Sequence, residues 1–317
     1  MPLHPQSLAM LDRVHRRGLT PFHELTVEQM RHESQKMHFG FRPEAPQVAE
    51  ATEIEMHRAD GPSVRARYYR AAGTGNVETL PLLVWYHGGG WTVGDLASYD
   101  VLCRELANLA RCAVMSVDYR LAPEHKFPAA VEDVDFAFQW CVEHAGTLAI
   151  DAGRIAVGGD SAGGNLAAVA CLMARERGGP QPCFQLLVYP ATDQRGLRQS
   201  HTLYAEGYLL TQASIRRFQY CYFASEAQRT DWRASPLLAA GLAGLPPALV
   251  LTAEYDPLVD DGLAYAERMR EAGGDVTYSC YAGMIHGFFA LGKFFDDANR
   301  AVAESAAALH RAFHRAG

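Results

Sequence analysis

The rhythm of apolar and polar residues changes several times along the chain, and each change predicts a different kind of element. In the first 45 residues apolar positions recur at helical spacing, with Leu8, Leu11 and Val14 three apart. A second helix is marked at its start by Thr26 with Gln29 three positions on, a capping box, and by Leu25 and Met30, which stand where a hydrophobic staple would close. From Thr52 the pattern becomes twofold alternation. The stretches 52–58 and 63–70, joined across Ala59-Asp60-Gly61-Pro62, predict an antiparallel pair. Continuous apolar runs follow at 81–87, 112–118, 154–158, 184–189 and 247–253, with helical stretches at 98–110, 129–143 and 162–175. Runs of this kind predict strands covered on both faces, so the fold class is α/β, a mostly parallel sheet with helices on both sides.

Between Pro190 and Pro246 the strand rhythm pauses for longer than a connection needs. Thr211 caps an aromatic-rich helix there, running to about Phe223. This segment is read as the second half of a cap begun at the N-terminus, the alternative being an excursion away from any site. The expected organisation is residues 1–45 and 191–235 as a helical cap over a core of 46–190 and 236–317. The apolar tail of the first part (Met37, Phe39, Phe41) reads equally as core or as the underside of that cap. A last strand at 276–281 and a polar C-terminal helix complete the chain.

Composition narrows the function classes. The 317 residues are 49% hydrophobic, enough to fill an α/β core, and no apolar run approaches a membrane span. No secretory signal is visible at the start, so the expected compartment is the cytoplasm. Seven cysteines, an odd number without a C-x-x-C pair, are expected as buried thiols in a reducing environment rather than as metal or redox ligands. The net charge of −7 is spread along the chain, which argues against a nucleic-acid partner. No metal and no cofactor is expected. His310 and His314, four apart on the terminal helix, lack a third ligand.

Three stretches carry candidate chemistry. Gly159-Asp160-Ser161-Ala162-Gly163 fits G-x-S-x-G between a strand and a helix, a strained turn that lifts the serine hydroxyl clear of the sheet. His87-Gly88-Gly89-Gly90-Trp91, after a buried strand, fits a loop whose bare backbone N–H groups could receive an oxyanion; His87 itself reads as a loop brace. A nucleophilic serine needs a base and the base a carboxylate, and the strand–turn–helix serine goes with the chain order serine, carboxylate, histidine. Of thirteen histidines, only His286, His310 and His314 follow the cluster Glu254-Tyr255-Asp256-Pro257-Leu258-Val259-Asp260. The last two lie on the terminal helix, which leaves His286. Asp256 is the preferred carboxylate, with Glu254 and Asp260 as alternatives.

Taken together, His87-Gly88-Gly89-Gly90, Gly159-Asp160-Ser161-Ala162-Gly163-Gly164, Asp256-Pro257-Leu258 and His286-Gly287-Phe288 resemble the hormone-sensitive-lipase-like family of bacterial carboxylesterases. Asp118-Tyr119-Arg120-Leu121-Ala122-Pro123-Glu124 and Glu206-Gly207-Tyr208-Leu209-Leu210 are similar to that family as well. The resemblance implies an eight-stranded α/β-hydrolase sheet with a two-part cap, and activity on esters of short to medium acyl chains. It implies oxyanion donors from Gly88, Gly89 and Gly90, most often the second and third, completed by Ala162. Trp91, Tyr189, Leu209, Ile285 and Phe288 are candidates for acyl or alcohol contacts, or else ordinary core. A bulky residue at Gly89 is expected to cost activity without unfolding the protein. Amidase or deacetylase chemistry on the same residues, and a non-catalytic binder of a small ligand, stay as alternatives. Lipase action on oil droplets is not expected, and a homodimer paired through an exposed final strand is left open.

Overall fold

Eight strands form one sheet in the order β1-β2-β4-β3-β5-β6-β7-β8 in the computed structural model, which describes residues 2–18, 20–75 and 77–314. The strands are β1 Glu50–Met56, β2 Val64–Arg70, β3 Leu80–Tyr86, β4 Ala113–Asp118, β5 Ile150–Asp160, β6 Gln185–Val188, β7 Ala248–Tyr255 and β8 Val276–Ile285. The β1–β2 and β2–β4 pairs are antiparallel, the first as the alternating stretch predicts, and the other five pairs are parallel. The helices are α1 Pro5–Arg16, α2 Val27–Phe41, α3 Asp100–Ala110, α4 Ala129–Glu143, the single turn α5 Ala145–Leu148, α6 Ala162–Arg177, the single turn α7 Ser200–Leu203, α8 Gln212–Tyr222, α9 Val259–Glu271 and α10 Asp296–Phe313.

The continuous apolar runs are strands because both of their faces are covered. On β3, Leu82, Val84 and Tyr86 pack toward α4, α6 and α9, while Leu83 and Trp85 pack toward α3 and α10. All seven residues of β3 are buried. Helix starts follow the side chains read in the sequence. Thr26 and Gln29 exchange both bonds of a capping box, and Thr211 Oγ1 accepts from Ser214 N at 3.2 Å.

The helical spacing of Leu8, Leu11 and Val14 is realised in α1, where Leu11 and Val14 pack partly buried against the core and Leu8 is exposed. Ser7 and Met10 are buried more deeply, and Ser7 Oγ donates to the Gly283 carbonyl at 2.8 Å. One expectation needs correction: the last strand continues four residues further than its alternation suggested, through Ala282, Gly283 and Met284 to Ile285. It is an edge strand with one neighbour, so its composition is mixed. Of the cysteines, Cys280 on β8 is exposed and Cys183 half-buried; the other five are buried free thiols. Among the described residues no helix is long and apolar enough to cross a membrane.

Candidate active site

The carboxyl ends of β3, β5 and β7 and the end of β8 converge on one cavity, as expected for an open α/β sheet. Ser161 sits between β5 and α6 with φ 56° and ψ −115°, a backbone conformation that a non-glycine residue adopts only when its surroundings hold it there. Its amide donates to the Val188 carbonyl at 2.8 Å. The turn is tight enough that a methyl group at Gly159 or Gly163 would run into the Tyr86 carbonyl oxygen, which is why both positions are glycine.

Ser161 Oγ donates to His286 Nε2 at 3.0 Å, and His286 Nδ1 donates to Asp256 Oδ2 at 2.6 Å. A carboxylate only accepts, so the ring proton lies on Nδ1 and leaves Nε2 to accept from the serine. Asp256 is fully buried and its other oxygen accepts from Leu258 N at 2.8 Å, which fixes the carboxylate in place. The alternatives are engaged elsewhere: Glu254 accepts from Gly283 N and Asp260 from Ser200 N. His310 and His314 stay on the terminal helix and its cap, and among the described residues no three acidic, histidine or cysteine side chains are grouped to hold a metal ion.

The glycine loop faces the same cavity. Gly88 is held away from a donor role, because its amide already donates to Asp160 Oδ1 at 2.8 Å and to the Tyr99 hydroxyl at 3.1 Å. The amides of Gly89 and Gly90 have no acceptor among the described residues. Ala162 opens α6, where a backbone N–H has no carbonyl behind it. Gly89 has φ 114°, and a Cβ there would collide with the Val93 carbonyl, so substitution at Gly89 strains the fold as well as crowding the cavity. His87 is fully buried, its Nδ1 bonded to the Gly88 carbonyl at 2.8 Å and its ring stacked on Tyr119. It braces the loop.

Of the five candidate contacts, Trp91 and Leu209 line the cavity. Tyr189, Ile285 and Phe288 do not reach it and are fully buried beneath it. Tyr189 supports the histidine instead, with its ring 4.5 Å from that of His286, and Phe288 packs behind Tyr189. Met37, read as core or as the underside of a cap, lines the cavity, and so does Phe218 of the aromatic-rich helix; the sequence did not single out Ser34 and His38 of α2 or Ile215 and Gln219 of α8, which complete the wall. The two regions meet where Phe22 packs on Phe218, centroids 6.0 Å apart. Burial lowers the His38 pKa to about 4, which keeps that ring neutral. A second histidine–carboxylate pair, His201 Nε2 to Asp261 Oδ1 at 3.1 Å, is also in the wall and buried. The face of α8 at 214, 215, 218 and 219 was the available signal, but periodicity does not say what a buried face covers.

Comparison with known proteins places the chain in a family. The alpha/beta hydrolase fold matches residues 83–290. The chain is 47% identical over 256 residues to the carboxylic ester hydrolase LipN of Mycobacterium tuberculosis, covering 78% of this chain and 66% of LipN. It is 36% identical over 292 residues to an ethyl acetate hydrolase of Pseudomonas putida, covering 92% of each. Among solved structures, a hyperthermophilic esterase from the archaeon Pyrobaculum calidifontis superposes with a TM-score of 0.91 at 39% identity, covering 98% of each chain. An ester hydrolase from a Lake Arreo metagenome gives 0.94 at 43%, covering 99% of this chain and all of that one. The chain belongs to the alpha/beta hydrolase family, and within it to the hormone-sensitive-lipase-like carboxylesterases.

Proposed function

We propose that this carboxylesterase hydrolyses short- to medium-chain carboxylic esters with Ser161 as nucleophile, His286 as general base and acid, and Asp256 as the group that orients the imidazole. The observation that carries this reading is the continuous pair of hydrogen bonds, 3.0 Å and 2.6 Å, from Ser161 through His286 to a fully buried carboxylate. Ser161 Oγ attacks the ester carbonyl carbon as its proton passes to His286 Nε2, and Asp256 stabilises the imidazolium. The amides of Gly89, Gly90 and Ala162 receive the oxyanion. Collapse expels the alcohol, which takes the proton from His286 and leaves an acyl group on Ser161. Water, deprotonated by the same histidine, then releases the acid.

Residues 1–45 and 191–235 act as the two parts of a cap over this site. A cavity of about 150 Å³ favours the short end of the acyl range, since a void of that order accepts a molecule about the size of benzene. The test is hydrolysis of p-nitrophenyl esters of increasing acyl length beside Ser161→Ala. Turnover of short chains that falls by about 10⁴-fold or more in the variant is expected. Turnover that survives the substitution would overturn the nucleophile.

A further inference from the structure

The polar side chains around the cavity divide into those whose bonds are complete and those whose bonds are not. Asp193 is held by Arg195, and His201 bonds Asp261 with one ring nitrogen and Gln212 with the other. Asp261 also accepts from Asp193 N. These groups serve the fold and offer nothing to a ligand. Two wall residues, His38 and Trp91, each bury a ring nitrogen (Nδ1 and Nε1) that has no partner among the described residues. Three others differ from both groups. Ser34 Oγ on α2 makes no hydrogen bond among the described residues, although the residue is only 6% exposed. Ser214 Oγ accepts from Thr211 Oγ1 at 3.0 Å, but its own proton has no acceptor among the described residues. Gln219 Nε2 donates to the Gln194 carbonyl at 2.9 Å. That carbonyl can only accept, which fixes the amide so that Oε1 is its other end, and nothing among the described residues donates to Oε1. Ser214 and Gln219 are each 5% exposed.

Ser34 Oγ and Gln219 Oε1 are not sealed off but keep accessible surface, so they can bond whatever occupies the cavity. Here all three line the cavity that contains Ser161, set among Met37, Ile215 and Phe218. We infer that Gln219 Oε1, the Ser214 hydroxyl and Ser34 form a hydrogen-bonding subsite, and that the preferred substrates are short esters carrying one additional hydroxyl group. A hydroxyl supplies both a proton for Gln219 Oε1 and an acceptor for Ser214. An ammonium would leave the serine proton unpaired. A carboxylate would bring no proton for Gln219 and would face Asp193 and Asp261 across the same wall. The inference rests on Ser161 as the nucleophile of this cavity.

The test compares isosteric pairs in which a hydroxyl replaces a methyl. Ethyl 3-hydroxybutanoate against ethyl 3-methylbutanoate probes the acyl side, and 2-hydroxyethyl acetate against propyl acetate probes the alcohol side. A purely apolar wall gains nothing from the hydroxyl and disfavours it, whereas a site built to bond it rejects the isostere. In at least one pair, kcat/KM is expected to favour the hydroxylated ester by about tenfold, and Gln219→Leu and Ser214→Ala are each expected to reduce that ratio by about fivefold. Ratios are taken within one preparation, so partial loss of folded protein cancels. A ratio below one in both pairs, or one unchanged by both variants, overturns the subsite. Ser161→Ala is run alongside. If it keeps its turnover the nucleophile has failed and the subsite with it, a result that reads differently from an unchanged ratio.

Discussion

Trp91 lies face to face on Tyr222, with ring centroids 4.4 Å apart and planes within 3° of parallel. The stack joins the end of the glycine loop to α8, and Phe127 meets Tyr222 edge-on at 5.7 Å. The Trp91 carbonyl also accepts from Ala122 N at 2.8 Å. Trp91→Ala is expected to destabilise the protein by about 3–5 kcal/mol and to lower kcat, because the loop beside it loses its support. Tyr222→Phe keeps the ring and removes a buried hydroxyl without a partner among the described residues. Its melting temperature is expected to equal or exceed that of the parent. A drop worth more than about 1 kcal/mol would show that the hydroxyl is bonded.

Asp256→Asn preserves shape while replacing an acceptor-only group beside His286 Nδ1. The amide can turn its NH₂ toward the ring and select the wrong tautomer. Steady-state kinetics are expected to show kcat reduced about 10³–10⁴-fold with KM little changed. A loss below tenfold would remove Asp256 from the mechanism.

Asp160 gives a pH-dependent expectation. Burial raises its pKa to about 6, although the Tyr99 hydroxyl and the Gly88 amide both favour the carboxylate. For an acid raised on folding, the folded state gains relative stability as pH falls from about 6 toward the ordinary aspartate range, and carries the cost of the charge above it. Asp160→Asn removes that cost, at most about 3 kcal/mol, and can still accept from Gly88. The melting temperature of the variant relative to the parent should therefore be more favourable at pH 8 than at pH 5. The same difference at both values would show that Asp160 does not titrate between them.

His201 runs in the opposite sense. Burial alone would lower its pKa, but the hydrogen bond and charge of Asp261 outweigh it, and the result is raised. The stability contributed by the imidazolium is complete below the unfolded value near 6.5 and is lost as pH rises through the folded one. Denaturant unfolding of His201→Gln should show a loss of about 3–5 kcal/mol at pH 6 and a smaller one at pH 9. Equal losses would mean that the buried ring is neutral throughout.

The parts of this molecule that were legible in sequence are those dictated by short-range chemistry. The apolar run of β3, the capping box at Thr26 and the glycines around Ser161 each impose a local geometry that distant residues do not change. The order of serine, carboxylate and histidine then picked out three residues that the fold brings into hydrogen-bonding contact. What stayed hidden depends on distant packing. Ile285 and Phe288 lie beside His286 in sequence and Tyr189 follows a strand end, yet all three are buried beneath the cavity, while Gln219 and Ser34 enter it from helices whose partners are not local. The His201–Asp261 pair spans sixty positions and has no local signature.

The conformation of Ser161 is imposed from below, by the Val188 carbonyl and by the close passage of Tyr86 against Gly159 and against Gly163 in the first turn of α6. Much of the cavity wall comes from α2, α8 and the chain around Leu209, none of which touches that turn through a backbone hydrogen bond. Reactivity and selectivity are thus written in separate parts of the polypeptide. Diversifying 22–41 and 205–219, with Tyr222 kept for its stack on Trp91, is a route to new ester preferences that leaves the nucleophile's posture intact, and the sheet can be stabilised without disturbing what the enzyme accepts.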